Sequence, residues 1–163
     1  YPLPEAQLDR FLLHIRVEYP SENEERSILA RTTGSGSGKV SEVMDGSEVI
    51  ALQKLVRDVH VSDDLLTWIT RLVRASRPQD STLSEVREWV RWGAGPRAGQ
   101  SLVLASKARA LIHGRLAATR DDVRALASPV LRHRLLLSFA AEADRRSTDD
   151  VIDVLLRDVP FPA

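Results

Sequence analysis

The spacing of apolar positions changes once along this chain, near residue 20. Phe11, Leu13, Ile15, Val17 and Tyr19 alternate with Leu12, His14, Arg16 and Glu18. That period of two predicts a half-buried strand, stopped by Pro20. Before it, Pro4 can open one helical turn over 5–9, because its missing N–H is not needed there. A lone strand cannot pair its own backbone and requires a sheet. The rest of the chain offers only short extended candidates, 40–43 and 59–61. The expectation is that the sheet belongs to a part of the protein preceding residue 1.

After residue 20 the period is helical. Ser21 with Glu24 forms a capping-box signature and starts a helix to about residue 31. Residues 32–38, Thr-Thr-Gly-Ser-Gly-Ser-Gly, read as a flexible loop. Val49, Leu52, Val56 and Val59 predict a helix from about residue 47 to 58. Ser62 caps the next, with Leu65, Ile69, Leu72 and Val73 on one face and Asp63 and Asp64 against the helix dipole. Residues 85–92 form a short amphipathic segment. Gly93-Ala-Gly-Pro-Arg opens the longest helix, 96–113, with Gly114 at its end. Thr119 with Asp122 and Ser147 with Asp150 cap two more, and Ser128-Pro129 predicts a fresh helix start running through residue 137. The fold class is mainly α, a helical bundle with one N-terminal strand.

Composition narrows the function classes. The 163 residues carry 23 Lys+Arg and 23 Asp+Glu. A zero net charge argues against adhesion to nucleic acid or anionic lipid by bulk charge, without excluding a local basic patch. Cys is absent, which removes disulfides and thiolate metal sites and makes a reducing, cytoplasmic compartment the default. No apolar run is long enough to span a bilayer, and the first residues lack the pattern of a signal peptide. The chain begins without Met, and the expectation is an excerpt from a longer protein.

Most candidate chemistry dissolves on inspection. Gly34-Ser-Gly-Ser-Gly-Lys39-Val40 imitates a phosphate loop, but Thr33 and Val40 occupy positions that demand Gly and Ser or Thr. His14, His60, His113 and His133 lack metal-ligand spacing. The pairs Asp63-Asp64, Asp121-Asp122 and Asp149-Asp150 stand in helix first turns, where capping explains them. Trp68, Trp89 and Trp92 fit packing roles. Two arginines stand apart. Arg97 follows Gly95-Pro96 in the first turn of a helix, beside free N–H groups suited to an anion, though a structural ion pair is the commoner use. Arg10 lies where the short helix meets the strand, and could reach outward or be merely solvated.

Leu3-Pro-Glu-Ala-Gln-Leu-Asp-Arg-Phe11 resembles the segment closing the core domain of MoxR-type AAA+ ATPases, and Gly93-Ala-Gly-Pro-Arg-Ala98 resembles that family's sensor-2 motif, which often has Ser where Gly95 stands. Ser106-Lys-Ala-Arg-Ala110, Gly114-Arg115, Asp121-Asp-Val123 and Pro129-Val-Leu-Arg-His-Arg134 resemble its C-terminal helices. The resemblance implies that residues 1–20 end an α/β core and 21–163 form the helical lid. It implies ATP with Mg2+ as the cofactor of the intact protein, none of it held by this part alone, and a chaperone-like activity on partner proteins. Arg10 would be the arginine finger acting on the neighbouring subunit, with Glu5 a companion at that interface. Arg97 would be sensor 2, acting in its own subunit, with Gly95 and Pro96 beside the nucleotide. A hexameric ring and a von Willebrand A-type partner are likewise implied. Without a phosphate loop, this chain by itself is expected to be inactive. The other reading is a stand-alone helical binding module or adaptor, with nucleic acid as its ligand class, resting on Arg109, Arg115, Arg120, Arg124, Arg132 and Arg134.

Overall fold

A computed structural model of the chain describes residues 3–34 and 40–162. Its helices are α1 (Glu5–Leu8), α2 (Glu22–Thr32), α3 (Gly46–Asp58), α4 (Asp63–Ala75), α5 (Ser84–Trp89), α6 (Pro96–Ile112), α7 (Arg120–Leu131), α8 (Phe139–Ala143) and α9 (Thr148–Asp158). Strands β1 (Val90–Trp92) and β2 (Leu136–Leu137) pair antiparallel. The mainly helical expectation is met.

The core forms where the apolar stripes converge. Leu65, Trp68, Ile69 and Leu72 of α4 meet Ala98 and Leu102 of α6, Val123, Ala127 and Leu131 of α7, and Val151, Ile152 and Leu155 of α9. The buried positions of α6 are mostly Ala and Ser, which lets α4 and α7 approach it closely. Burying a large aliphatic side chain contributes about 1.5–3 kcal/mol, so these four helices hold most of the stability. The Trp68 indole is fully buried and donates to the carbonyl of Val159 at 3.0 Å, which satisfies its one polar atom. Neither α2 nor α3 buries a residue fully, and their caps do much of the local ordering. Ser21 with Glu24 and Asp45 with Glu48 both close reciprocal capping boxes.

Several expectations are corrected. Residues 13–20 lie in no helix or strand, since no strand among the described residues runs beside them. Of the alternating apolar set, only Leu13 packs against the core, while Tyr19 is 97% exposed. Pro129 does not start a helix. It sits inside α7, because burying Val130 and Leu131 outweighs the lost hydrogen bond to Ala125 and the ring clash, about 3 kcal/mol. The chain then turns into β2 instead of continuing helical to residue 137. The segment 85–92 divides into α5 and β1, because Trp92 and Val90 pair with Leu136 and Leu137. Of the extended candidates, only His60 forms a bridge, to Ala117. The phosphate-loop look-alike falls largely on residues 35–39, outside the described residues.

A candidate phosphate-binding edge

The Gly93-to-Arg97 turn owes its shape to the end of α4. The Ser76 hydroxyl is buried, donates to the carbonyl of Val73 at 2.7 Å and accepts the Ala94 N–H at 3.0 Å. Arg77 donates from Nε to the Ala94 carbonyl at 2.9 Å. At Gly93 a Cβ would stand 2.7 Å from the Arg77 Cα and closer still to the Ser76 carbonyl oxygen. Only glycine fits so tight an approach of two backbones. Gly95 differs: it is the N-cap of α6 at φ −84°, and a Cβ there would meet nothing. The Ser that the resembling family often carries would fit without changing the turn. Pro96 takes the first helical position and Arg97 the next, with no side chain capping the helix.

Arg97 is half-exposed and makes one loose ion pair, 3.5 Å to the Asp9 carboxylate. An ion pair so exposed is worth about 1 kcal/mol or less, so the guanidinium is available to a stronger anion. Asp9 is the residue before Arg10. The structure therefore brings the two arginine-bearing turns together through one carboxylate, across 88 residues of sequence. Arg10 is exposed, and its guanidinium is in no ion pair among the described residues. Its N–H is fixed to the Gln7 carbonyl at 3.1 Å, which sets the backbone from which the side chain projects. Glu5 is also exposed, one turn earlier.

What holds this edge was missed in the sequence. Arg134 was counted there among surface cations, yet its side chain is 1% exposed. It donates to the Asp9 carboxylate at 2.9 Å, to the carbonyls of Asp9 at 3.0 Å and Phe11 at 2.6 Å, and to Ser101 Oγ at 3.1 Å. The carbonyls of Val130 and Leu12 complete the set. Burial lowers the pKa of this guanidinium, and the Asp9 hydrogen bond acts in the opposite sense. Its neighbours do related work. His133 Nε2 lies 3.1 Å from the Phe11 carbonyl, and burial lowers the His133 pKa so that the ring favours its neutral form. Arg132 reaches the His14 carbonyl at 3.4 Å and the Asp149 carboxylate at 3.2 Å. Three consecutive residues after α7 thus strap residues 9–14 onto the helical bundle.

A second buried charge lies toward the other end of α6, beside Arg109. Asp122 is wholly buried and accepts from Arg109 at 2.5 Å, from Arg115 at 2.6 and 2.7 Å, and from the N–H of Thr119 at 2.8 Å. The Arg115 hydrogen bonds, opposed by desolvation and helped by Thr119 and Arg109, hold its carboxyl well below the usual range. Capping explained this residue only in part. The described residues contain no group of three or more His, Asp or Glu placed to hold a metal ion. The arginines and the uncapped start of α6 do fit the phosphate end of a nucleotide.

Residues 83–155 match the AAA lid domain. The chain is 38% identical to Chaperone MoxR1 of Mycobacterium tuberculosis over 99% of its own length and 43% of that protein. It is 34% identical to Protein MoxR of Paracoccus denitrificans, covering all of this chain and 52% of the relative. The chain thus spans about half the length of these relatives. A crystal structure from Cytophaga hutchinsonii, of a protein provisionally assigned as an ATPase, superposes over the full chain with a TM-score of 0.93 at 30% identity, across 50% of that protein. Over its whole length the chain matches MoxR proteins, and with residues 83–155 as its AAA lid domain it belongs to the MoxR-type AAA+ family.

Proposed function

We propose that this chain is the nucleotide-sensing part of a ring-forming ATPase that remodels partner proteins. The observation that carries the reading is the joining of the Arg10 and Arg97 turns through Asp9. Magnesium-bound ATP, when present in the intact protein, supplies a phosphoanhydride whose cleavage drives conformational work. The residues of this chain would contribute charge and position. Arg97, anchored by Pro96 and the uncapped start of α6, would neutralise a γ-phosphate oxygen and couple it to the position of the lid. Arg10 would reach the γ-phosphate bound by the adjacent subunit of a hexamer. Such a finger is worth about 10³–10⁵ in rate. The ring, its von Willebrand A-type partner and the cytoplasmic setting belong to the same proposal. No helix of the described residues is long and apolar enough to cross a membrane.

The family pattern has Arg97 acting in its own subunit. The shared Asp9 contact favours a second division of labour, in which Arg97 faces the same neighbouring nucleotide as Arg10. Mixed rings separate the two. In the intact protein, Arg10→Ala should lower ATP hydrolysis by about 10³ or more, and mixing with subunits lacking a working phosphate loop should restore part of it. Arg97→Ala regains activity in the same mixture only if it acts in trans. Parental rates in both single variants would sink the assignment.

The nucleic-acid reading loses its footing in the pairing of its arginines. Arg109 and Arg115 are bound to Asp122, Arg132 to Asp149, and Arg134 is buried on Asp9. Arg120 lies 5.2 Å over the Trp68 ring.

A further inference from the structure

Away from that edge, α4 and α6 border an open groove of about 720 Å³. The two helices run in opposite directions along it. Ser76, at the end of α4, holds Ala94 just before α6 begins. At the other end, Lys107 donates to the carbonyl of Arg57 at 2.7 Å, and α3 leads into α4 within a few residues. Ile69 and Val73 make the buried floor, and Leu66 and Leu104 form apolar, exposed sides.

Charge is distributed unevenly in this groove. Its lining includes Arg57 and Lys107 at one end, Arg74 and Arg77 at the other, and no acidic residue. The chain as a whole has equal numbers of acids and bases, so the excess is local. Arg74 and Arg77 share one loose contact with Asp80, 3.5 Å from each. Arg57 and Lys107 are in no ion pair among the described residues. Pro96 and Lys107 are eleven residues apart on α6, about 16 Å at 1.5 Å per residue.

An apolar floor with a cationic pair at each end, about three helical turns apart, sets the shape of the occupant. A nucleotide carries its charge at one end only. We infer that the groove receives an amphipathic helix of a partner protein, with aliphatic residues at helical spacing toward Ile69 and Val73 and carboxylates at both ends. Gly99 keeps the trough open. A Cβ there would touch only methyl groups of Ile69 and Val73, both at 3.8 Å, so a longer side chain can be accepted by the fold while filling the space.

The probe is a fluorescein-labelled helical peptide about four turns long, with Leu at i, i+3 and i+7 and Glu at both ends. Its counterpart ends in Lys. Anisotropy with the full chain should show saturable binding of the Glu peptide below about 100 μM, and binding of the Lys peptide at least about tenfold weaker. Arg74→Glu with Lys107→Glu should reverse that preference, a gain that misfolding cannot imitate. Gly99→Leu should abolish binding of the Glu peptide with unchanged circular dichroism. Arg10→Ala and Arg97→Ala should bind as the parent does, which keeps this test separate from the ATPase reading. Failure of the Glu peptide to bind, equal binding of the Lys peptide, or parental affinity in Gly99→Leu would overturn the proposal. Displacement by ATP would also overturn it and give the groove to nucleotide.

Discussion

Replacing Arg134 by Met tests the anchoring of the Arg10 turn most directly. The guanidinium has five N–H groups facing six acceptors, five besides the Asp9 carboxylate, so every donor is engaged and the two N–H groups of Nη2 are shared among three oxygens. Met keeps much of the volume and removes every donor. Breaking a buried ion pair from one side costs about 3–5 kcal/mol. The other limit is set by where the stranded acceptors can go. Ser101 and Val130 are buried and stay stranded, whereas Asp9, Phe11 and Leu12 can find water if residues 9–14 lift off. The expected loss is therefore about 2–4 kcal/mol in urea unfolding, read by circular dichroism. Hydrogen exchange should locate it. The His14 N–H, bonded to the Pro129 carbonyl at 2.7 Å, should lose protection far more than amides in the middle of α6. A variant within about 0.5 kcal/mol of the parent, with His14 still protected, would refute the anchor. Asp9→Asn should cost less, because the backbone carbonyls remain on Arg134.

Gly93→Ala should destabilise by about 1–3 kcal/mol through steric overlap with the end of α4, while Gly95→Ser should be neutral or stabilising by a few tenths of a kcal/mol (about the gain of an N-cap hydroxyl over glycine); equal melting temperatures for the two would contradict the packing. Asp122→Asn should cost about 2–4 kcal/mol at neutral pH, below the fully buried limit because Arg109 and Arg115 remain 34% and 36% exposed. The sign with pH follows from a carboxyl held low in the folded state. The unfolded carboxyl takes its proton near pH 3.9 while the folded one stays ionised, so this stability is full above about pH 5 and is lost as pH falls through the acid range. Acid unfolding of the Asp122→Asn variant should accordingly be shallower than the parent's between about pH 5 and 3, and an unchanged slope would argue against the pairing.

Helices were legible in the sequence where caps and stripes agreed. Ser62 with the Leu65, Ile69, Leu72 and Val73 stripe gave α4 its start and its buried face, and the capping boxes at Ser21, Thr119 and Ser147 mark real helix starts. Local signals misled where distant partners decide. Pro129 reads as a helix start by itself, and only the burial of Val130 and Leu131 carries α7 through it. Among the site residues, Arg97 could be placed from Gly95-Pro96, and Arg10 from its junction. Arg134 could not, since nothing local separates a buried arginine from an exposed one. Its partners lie more than 120 residues away. Ser76 likewise gives no sign of receiving Ala94, although the glycine at 93 hints at a close approach.

The strap also bears on the order in which the molecule assembles. Its contacts join residues 118 to 125 positions apart, some of the longer loops to close among the described residues. Loop entropy rises only logarithmically with length, yet such contacts bring no reward until α7 is already in place. The bundle of α4, α6, α7 and α9 should consequently mature first, in a late folding transition state still lacking residues 9–14. The carbonyls of Pro129 and Val130, left over at the end of α7, then wait for the His14 amide and the Arg134 side chain. Arg10 is fixed by the last event of folding, so its segment is also the first to be released when the native state opens locally.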